Sequence, residues 1–179
     1  YRPILFGAVL NHHGHMGPAE IPGKREWTYR QVVWQAKQMG VQLDMPLAHP
    51  FNPLSLLRLA VACSDDGAPN RYVCETIFRH VWKGGHAADD VNRFAELSAG
   101  LAPKRDMQEA EVKNQLKNNT EQAITQGVFG VPTFAVDDKL FWGLDALPML
   151  RQYMDKNPLF DEADWRSVET IKTGITRKP

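Results

Sequence analysis

Hydrophobic positions follow a helical period through most of the chain and switch to a strand period near its end. Residues 1–10 are mostly apolar with an early Pro3, which predicts a short strand entering a loop where Gly and His interrupt residues 11–17. From about Glu20, Tyr29, Val32, Val33 and Ala36 fall at i, i+3, i+4 and i+7, and Gly40 sits where a C-cap belongs. This is the first long helix. A second is predicted from Asn52-Pro53, a capping residue followed by a proline at the first helical position, with Leu56, Leu59, Ala60 and Cys63 as its buried stripe. Asn70 is placed to cap a third. There Val73, Ile77 and Val81, flanked by Cys74, Phe78 and Trp82, form a wide face that must be largely enclosed, ending at Gly84-Gly85. Asp89 or Asp90 opens a fourth helix carrying Val91, Phe94 and Ala95 and ending near Gly100. Asp106 opens a more polar stretch, predicted to break around Asn118-Asn119 before Gly127.

The period then changes. Residues 132–136 and 140–142 are short β-type runs joined by Asp137-Asp138-Lys139, a hairpin signal. Asp145 is expected to cap a last helix with Leu147, Leu150 and Met154 on one face, Pro148 being tolerable in its first turn. Beyond Asn157-Pro158, Trp165, Val168 and Ile171 suggest a short amphipathic turn before a frayed end. A lone hairpin is marginal and needs further strands, so the order implies an α/β fold with an inserted helical subdomain. Residues 1–17 and 128–156 are assigned to the α/β part, residues 18–127 to the helical insertion with its connecting helices, and residues 157–179 to a tail. Residues 1–10 would supply one more strand, and another is expected upstream, since the chain opens with Tyr1 in what reads as the middle of an apolar segment.

At 179 residues the chain matches one domain of ordinary size. Its 21 basic and 21 acidic residues give no net charge, which argues against nucleic acid as a partner. No apolar run approaches the ~20 residues of a membrane span, and the first residues lack the layout of a signal peptide, so a cytoplasmic protein is expected. Cys63 and Cys74 form neither a Cys-x-x-Cys pair nor a zinc pattern and are read as reduced structural thiols. His12, His13 and His15 with Glu20 raise the idea of zinc, but adjacent imidazoles do not readily face one ion, so no metal is expected. Those histidines fit a loop at the mouth of a site. His49, His80 and His86 pair with no nucleophile and are read as structural or surface residues.

The most informative stretch is Gly127-Val128-Phe129-Gly130-Val131-Pro132-Thr133-Phe134, followed by Trp142-Gly143-Leu144-Asp145. It resembles the glutathione-binding edge of the DsbA-like branch of the thioredoxin superfamily, specifically the 2-hydroxychromene-2-carboxylate isomerases and the related kappa-class glutathione transferases. The resemblance extends to residues 1–8, residues 17–25 and Phe51-Asn52-Pro53, leaving only the part after about Lys156 without a counterpart. It implies a thioredoxin-like fold of the DsbA type with an all-helical insertion. It also implies a cis bond before Pro132, glutathione as cofactor, and main-chain pairing of the peptide with Val131. Asp145 would meet the γ-glutamyl ammonium, and backbone donors at Leu144 and Asp145 its carboxylate, with Gly143 between them and Trp142 either a lid or a half-buried strand residue. Lys24 is the candidate cation for a glutathione or substrate carboxylate. Asn11, Phe51 and Asn52 are candidates for lining an aromatic pocket, although Asn52 is equally well read as a helix cap.

The reaction implied is addition of the glutathione thiolate to the unsaturated pyruvate chain of a small aromatic carboxylate, bond rotation, and release of the thiol. In relatives a serine before a proline, at the start of the first helix, favours the thiolate. None of Ser55, Ser64, Ser98 or Ser167 matches it, so no catalytic residue is assigned in this chain and the serine is expected upstream of Tyr1. A kappa-like transferase and a DsbA-family thiol-disulfide oxidoreductase are the enzymatic rivals. A glutathione-binding or dimerisation module without catalysis is a rival of another class. A homodimer is compatible with the chain, with Trp27 and Trp34 fitting either an interface or the core.

Overall fold

The computed structural model describes residues 1–175, and its packing divides the chain into two units, Tyr1–Phe129 and Gly130–Pro179. The first unit is helical: α1 (Phe6–His13), a 3-10 turn (Pro18–Glu20), α2 (Pro22–Gln38), α3 (Leu54–Ala62), α4 (Arg71–Trp82), α5 (Val91–Leu101) and α6 (Ala110–Thr125). Two apolar clusters hold it. Leu56, Leu59 and Ala60 of α3 meet Val73, Ile77 and Val81 of α4, Leu97 of α5 and Ala88. On another side of α3, Val61 and Ala62 meet Val112 and Leu116 of α6, with Leu5, Leu54, Leu57 and Met107 around them. Asn70 caps α4 by accepting from the Val73 N–H, and Asp90 caps α5 by accepting from the Arg93 N–H, each supplying an acceptor that a helix start otherwise lacks.

Several expectations are corrected here. Residues 1–10 do not form a strand. Five lead-in residues precede α1, which ends at Gly14 in the left-handed conformation. Side chains of α6 take the place of a strand partner: the Leu5 N–H donates to Thr120 Oγ1 at 3.0 Å, and Asn119 Nδ2 donates to the Pro3 carbonyl at 3.2 Å. For the same reason α6 does not break at Asn118-Asn119. Asn119 and Thr120 are buried, and their polar groups are spent on the N-terminal segment, on Gln115 and on the Leu116 carbonyl. On α4 Phe78 is exposed rather than enclosed, and on α5 Val91 and Ala95 face out while Leu97 carries the contact.

The long helix α2 buries none of its residues, and its Trp27 and Trp34 are exposed at 66% and 60%. Its Tyr29 makes a specific tie: the hydroxyl lies 2.8 Å from His49 Nδ1 and 2.9 Å from the His49 carbonyl. One hydroxyl proton serves one acceptor. Both contacts are satisfied when Nδ1–H donates to Tyr29 and Tyr29 donates to the carbonyl, which leaves His49 Nε2 bare. The His49 ring also meets Phe51 and Trp82 at centroid distances of 5.9 and 5.6 Å, and burial lowers its pKa.

The second unit is the hairpin β1 (Thr133–Val136) and β2 (Lys139–Trp142), then α7 (Leu147–Met154), a 3-10 turn (Pro158–Asp161), α8 (Ala163–Ser167) and a last 3-10 turn (Val168–Thr170). Among the described residues the sheet has these two antiparallel strands, in the register Thr133–Trp142 through Val136–Lys139, closed by a two-residue turn with Asp137 at φ 52°. Phe141, Ala146 and Phe160 form its core with Phe134, Leu150, Tyr153 and Trp165. The segment after Lys156 is therefore partly core, for Phe160 and Trp165 meet edge to face at 4.8 Å, while Val168 and Ile171 are exposed. The end expected to fray lies partly outside the described residues, which stop at 175.

Candidate functional site

The hairpin brings the two halves of the informative stretch together. Gly143 follows β2 directly and its N–H donates to the Pro132 carbonyl at 2.9 Å, so Val131-Pro132 and Trp142-Gly143-Leu144-Asp145 share one end of the hairpin. The Val131-Pro132 bond is cis, as is the His49-Pro50 bond, of which the residue pattern gave no sign. Val131 precedes the first ladder pair and is 43% exposed; neither its N–H nor its C=O has a hydrogen-bond partner among the described residues. That is an open strand end, the kind of edge to which an extended peptide adds.

Two glycines shape this end. A Cβ on Gly130 would overlap the Trp142 indole, which lies against the glycine while 54% exposed. Gly143 has φ 91°, and a Cβ there would overlap Asp145 Oδ1. The sequence reading missed Gly130 as a shaping residue; its place one position before Val131-Pro132 was the available signal.

Asp145 is not the cap of α7. That helix starts two residues later, with Ala146 at the cap position and no side-chain cap, because the Asp145 carboxylate turns back over Gly143. It is exposed, with no hydrogen-bond or ion-pair partner among the described residues. The N–H groups of Leu144 and Asp145 likewise have no acceptor among them. A free carboxylate thus stands beside unpaired backbone donors ahead of a helix, a pairing suited to an α-amino acid zwitterion.

The remaining candidates belong to the first unit and sit on three separate segments. Asn11 is exposed on α1; Lys24 is exposed in the first turn of α2 with no partner for its ammonium among the described residues. Phe51 is half-buried against the first apolar cluster. Asn52 is exposed and is not the cap of α3, whose cap position falls on Pro53 without a side-chain cap; its Oδ1 accepts from the Leu54 N–H at 3.0 Å in the turn that leads into the helix. Ser64 and Ser167 spend their hydroxyls on the Val61 and Asp164 carbonyls. Cys63 and Cys74 are free and half-buried, and burial pushes both thiols up in pKa, away from nucleophilic character. Among the described residues there is no group of three or more His, Cys, Asp or Glu side chains able to hold a metal ion, and no helix long and apolar enough to cross a membrane.

The model of the DSBA-like thioredoxin domain matches residues 1–155, and the chain belongs to that family, with its DsbA-like thioredoxin fold. It is 25% identical to glutathione S-transferase kappa 2 of Caenorhabditis elegans, over 86% of this chain and 76% of the relative. It is 26% identical to a 2-hydroxychromene-2-carboxylate isomerase of Sphingobium xenophagum, over 86% and 81%, and 29% identical to one of Pseudomonas putida, over 87% and 79%. A solved structure of a 2-hydroxychromene-2-carboxylate isomerase shares the fold, with a TM-score of 0.73 at 23% identity over 92% of this chain and 83% of the other.

Proposed function

We propose that this protein is an enzyme that uses glutathione to interconvert the cis and trans forms of a small aromatic carboxylate of the 2-hydroxychromene-2-carboxylate type. The observation that carries the reading is the open end of β1, where the unpaired main chain of Val131 stands on one hairpin end with the free carboxylate of Asp145. These residues fit a γ-glutamyl peptide. Val131 offers one N–H and one C=O to the peptide main chain, Asp145 accepts from the ammonium, and the Leu144 and Asp145 amides donate to the γ-glutamyl carboxylate. Gly143 keeps the Asp145 carboxylate folded back toward the strand end, and Trp142 presents an exposed indole beside it. When bound, glutathione supplies a thiol whose ionised form adds reversibly to a conjugated double bond.

Within the first unit, Lys24 offers an unpaired ammonium to a carboxylate. Phe51 offers an aromatic face, and Asn11 and Asn52 offer amide donors, that of Asn52 remaining free while its oxygen is engaged. A kappa-type transferase is the second reading, favoured by the likeness to the Caenorhabditis elegans protein. One assay separates the two. The protein is incubated with 2-hydroxychromene-2-carboxylate and glutathione while isomerisation is followed by absorbance and free glutathione is counted. Turnover that requires glutathione and leaves its total unchanged is the expected result. Consumption of one glutathione per product indicates the transferase, and turnover independent of glutathione refutes both.

A further inference from the structure

The helix α3 runs Leu54-Ser55-Leu56-Leu57-Arg58-Leu59-Ala60-Val61-Ala62, and Arg58 is its one charged residue. The Arg58 Nε is sealed from solvent and has no hydrogen-bond partner. Nor does any other part of its guanidinium have a hydrogen-bond or ion-pair partner among the described residues. Its neighbours on the helix face are apolar: Leu54, Val61 and Ala62, at i−4, i+3 and i+4, all belong to or border the second apolar cluster. Other arginines here are satisfied differently. Arg71 and Arg79 pair with Glu75, Arg93 donates to the Ala87 and His80 carbonyls, and Arg105, whose Nε is also unpartnered, is anchored by its Nη2 on the Val61 carbonyl at 2.8 Å. The Nε–H is sealed without an acceptor while the half-buried side chain keeps the rest of its guanidinium in reach of solvent, so the fork stands open to an anion that no group among the described residues supplies.

We propose that Arg58 is the residue that binds the carboxylate of the substrate, an inference that rests on the aromatic-carboxylate reading above. The guanidinium fork matches a carboxylate through two parallel N–H···O bonds, and one monoanion neutralises the one charge of α3. A dianionic phosphate would remain half-neutralised against leucines. Helical side chains lean toward the N-terminus of their helix, so Arg58 leans toward its Phe51-Asn52-Pro53 end, where aromatic and amide groups are already candidates for the same ligand. An exposed, hydrated lysine such as Lys24 gains less from a carboxylate than a half-buried, planar guanidinium fork.

The test is a titration of the full chain with pyruvate, read at the arginine Nε–H resonances by NMR, with inorganic phosphate as the comparison anion. The Arg58 signal is expected to shift saturably with pyruvate and far less with phosphate. Arg58→Met is expected to abolish pyruvate binding and to raise the KM for the aromatic carboxylate by at least about tenfold, with glutathione affinity unchanged. Arg58→Lys, which keeps the charge, is expected to retain part of the affinity, and it carries the test if the methionine variant fails to fold. An Arg58 signal unmoved at saturating pyruvate, an equal response to phosphate, or wild-type affinity in both variants overturns the proposal. A pyruvate-responsive Arg58 in a protein without isomerase activity keeps the anion site and removes the proposed reaction. Activity with a silent Arg58 does the reverse.

Discussion

Replacing Gly143 with alanine separates the backbone of the strand end from its chemistry. At φ 91° an L-residue pays for a left-handed conformation, about 1–2 kcal/mol. For a chain of this length that corresponds to a fall in Tm of about 2–8 °C. The new Cβ also overlaps Asp145 Oδ1, but that atom is the tip of an exposed side chain and moves aside cheaply, so the overlap adds little to the stability loss. Its effect falls on binding. With the carboxylate swung away, the charge-assisted bond to the γ-glutamyl ammonium is lost, worth about 1.5–3 kcal/mol or about 10- to 150-fold in Kd. Thermal unfolding reads the first effect and calorimetric titration with glutathione the second. Asp145→Ala should match the binding loss without the stability loss, and the double variant should bind no worse than either single one, since all three remove the same contact. Additive binding losses, or a Gly143→Ala protein that binds like wild type, would refute the placement of Asp145.

Two further outcomes follow from the first unit. Thr120→Val strips the buried hydroxyl that accepts from the Leu5 N–H, leaving that donor unpaired; a loss of about 1–3 kcal/mol is expected in urea unfolding. Thr125→Val, which removes an exposed hydroxyl, should change stability by less than about 0.5 kcal/mol. Burial lowers the folded pKa of His49, and burial, partly offset by a bond to the Ala88 carbonyl, lowers that of His80. As the pH falls through the ordinary 6.5, the unfolded chain therefore takes up protons that the fold refuses. Their contribution is full above that pH and is lost as pH falls toward the lower folded values. Urea unfolding across this range should show a slope that flattens in His49→Gln; an unchanged slope contradicts the neutral, Tyr29-bonded imidazole.

Features decided by near neighbours were legible in the residues. Asn70 and Asp90 cap within three positions, and the Asp137-Asp138 turn closes strands whose β-formers flank it. Features decided across the chain were not. An apolar run such as residues 1–10 carries no period, and its helix depends on Asn119 and Thr120, more than a hundred positions away. Asn118-Asn119 looked like a helix break because asparagine's polar group suits turns as well as buried contacts. Asp145 looked like a cap because an acid before an apolar helix usually is one; only the close approach to Gly143 turns it elsewhere. Arg58 was visible as a lone charge in an apolar helix, but its want of a partner shows only in three dimensions.

The central claim is that glutathione lies along the open end of β1. The most direct measurement is a glutathione titration followed by amide NMR at Val131, Leu144 and Asp145. A saturable shift of all three, with slowed hydrogen exchange at the Val131 amide, is the predicted result. Saturable binding that leaves these three amides unmoved would contradict it.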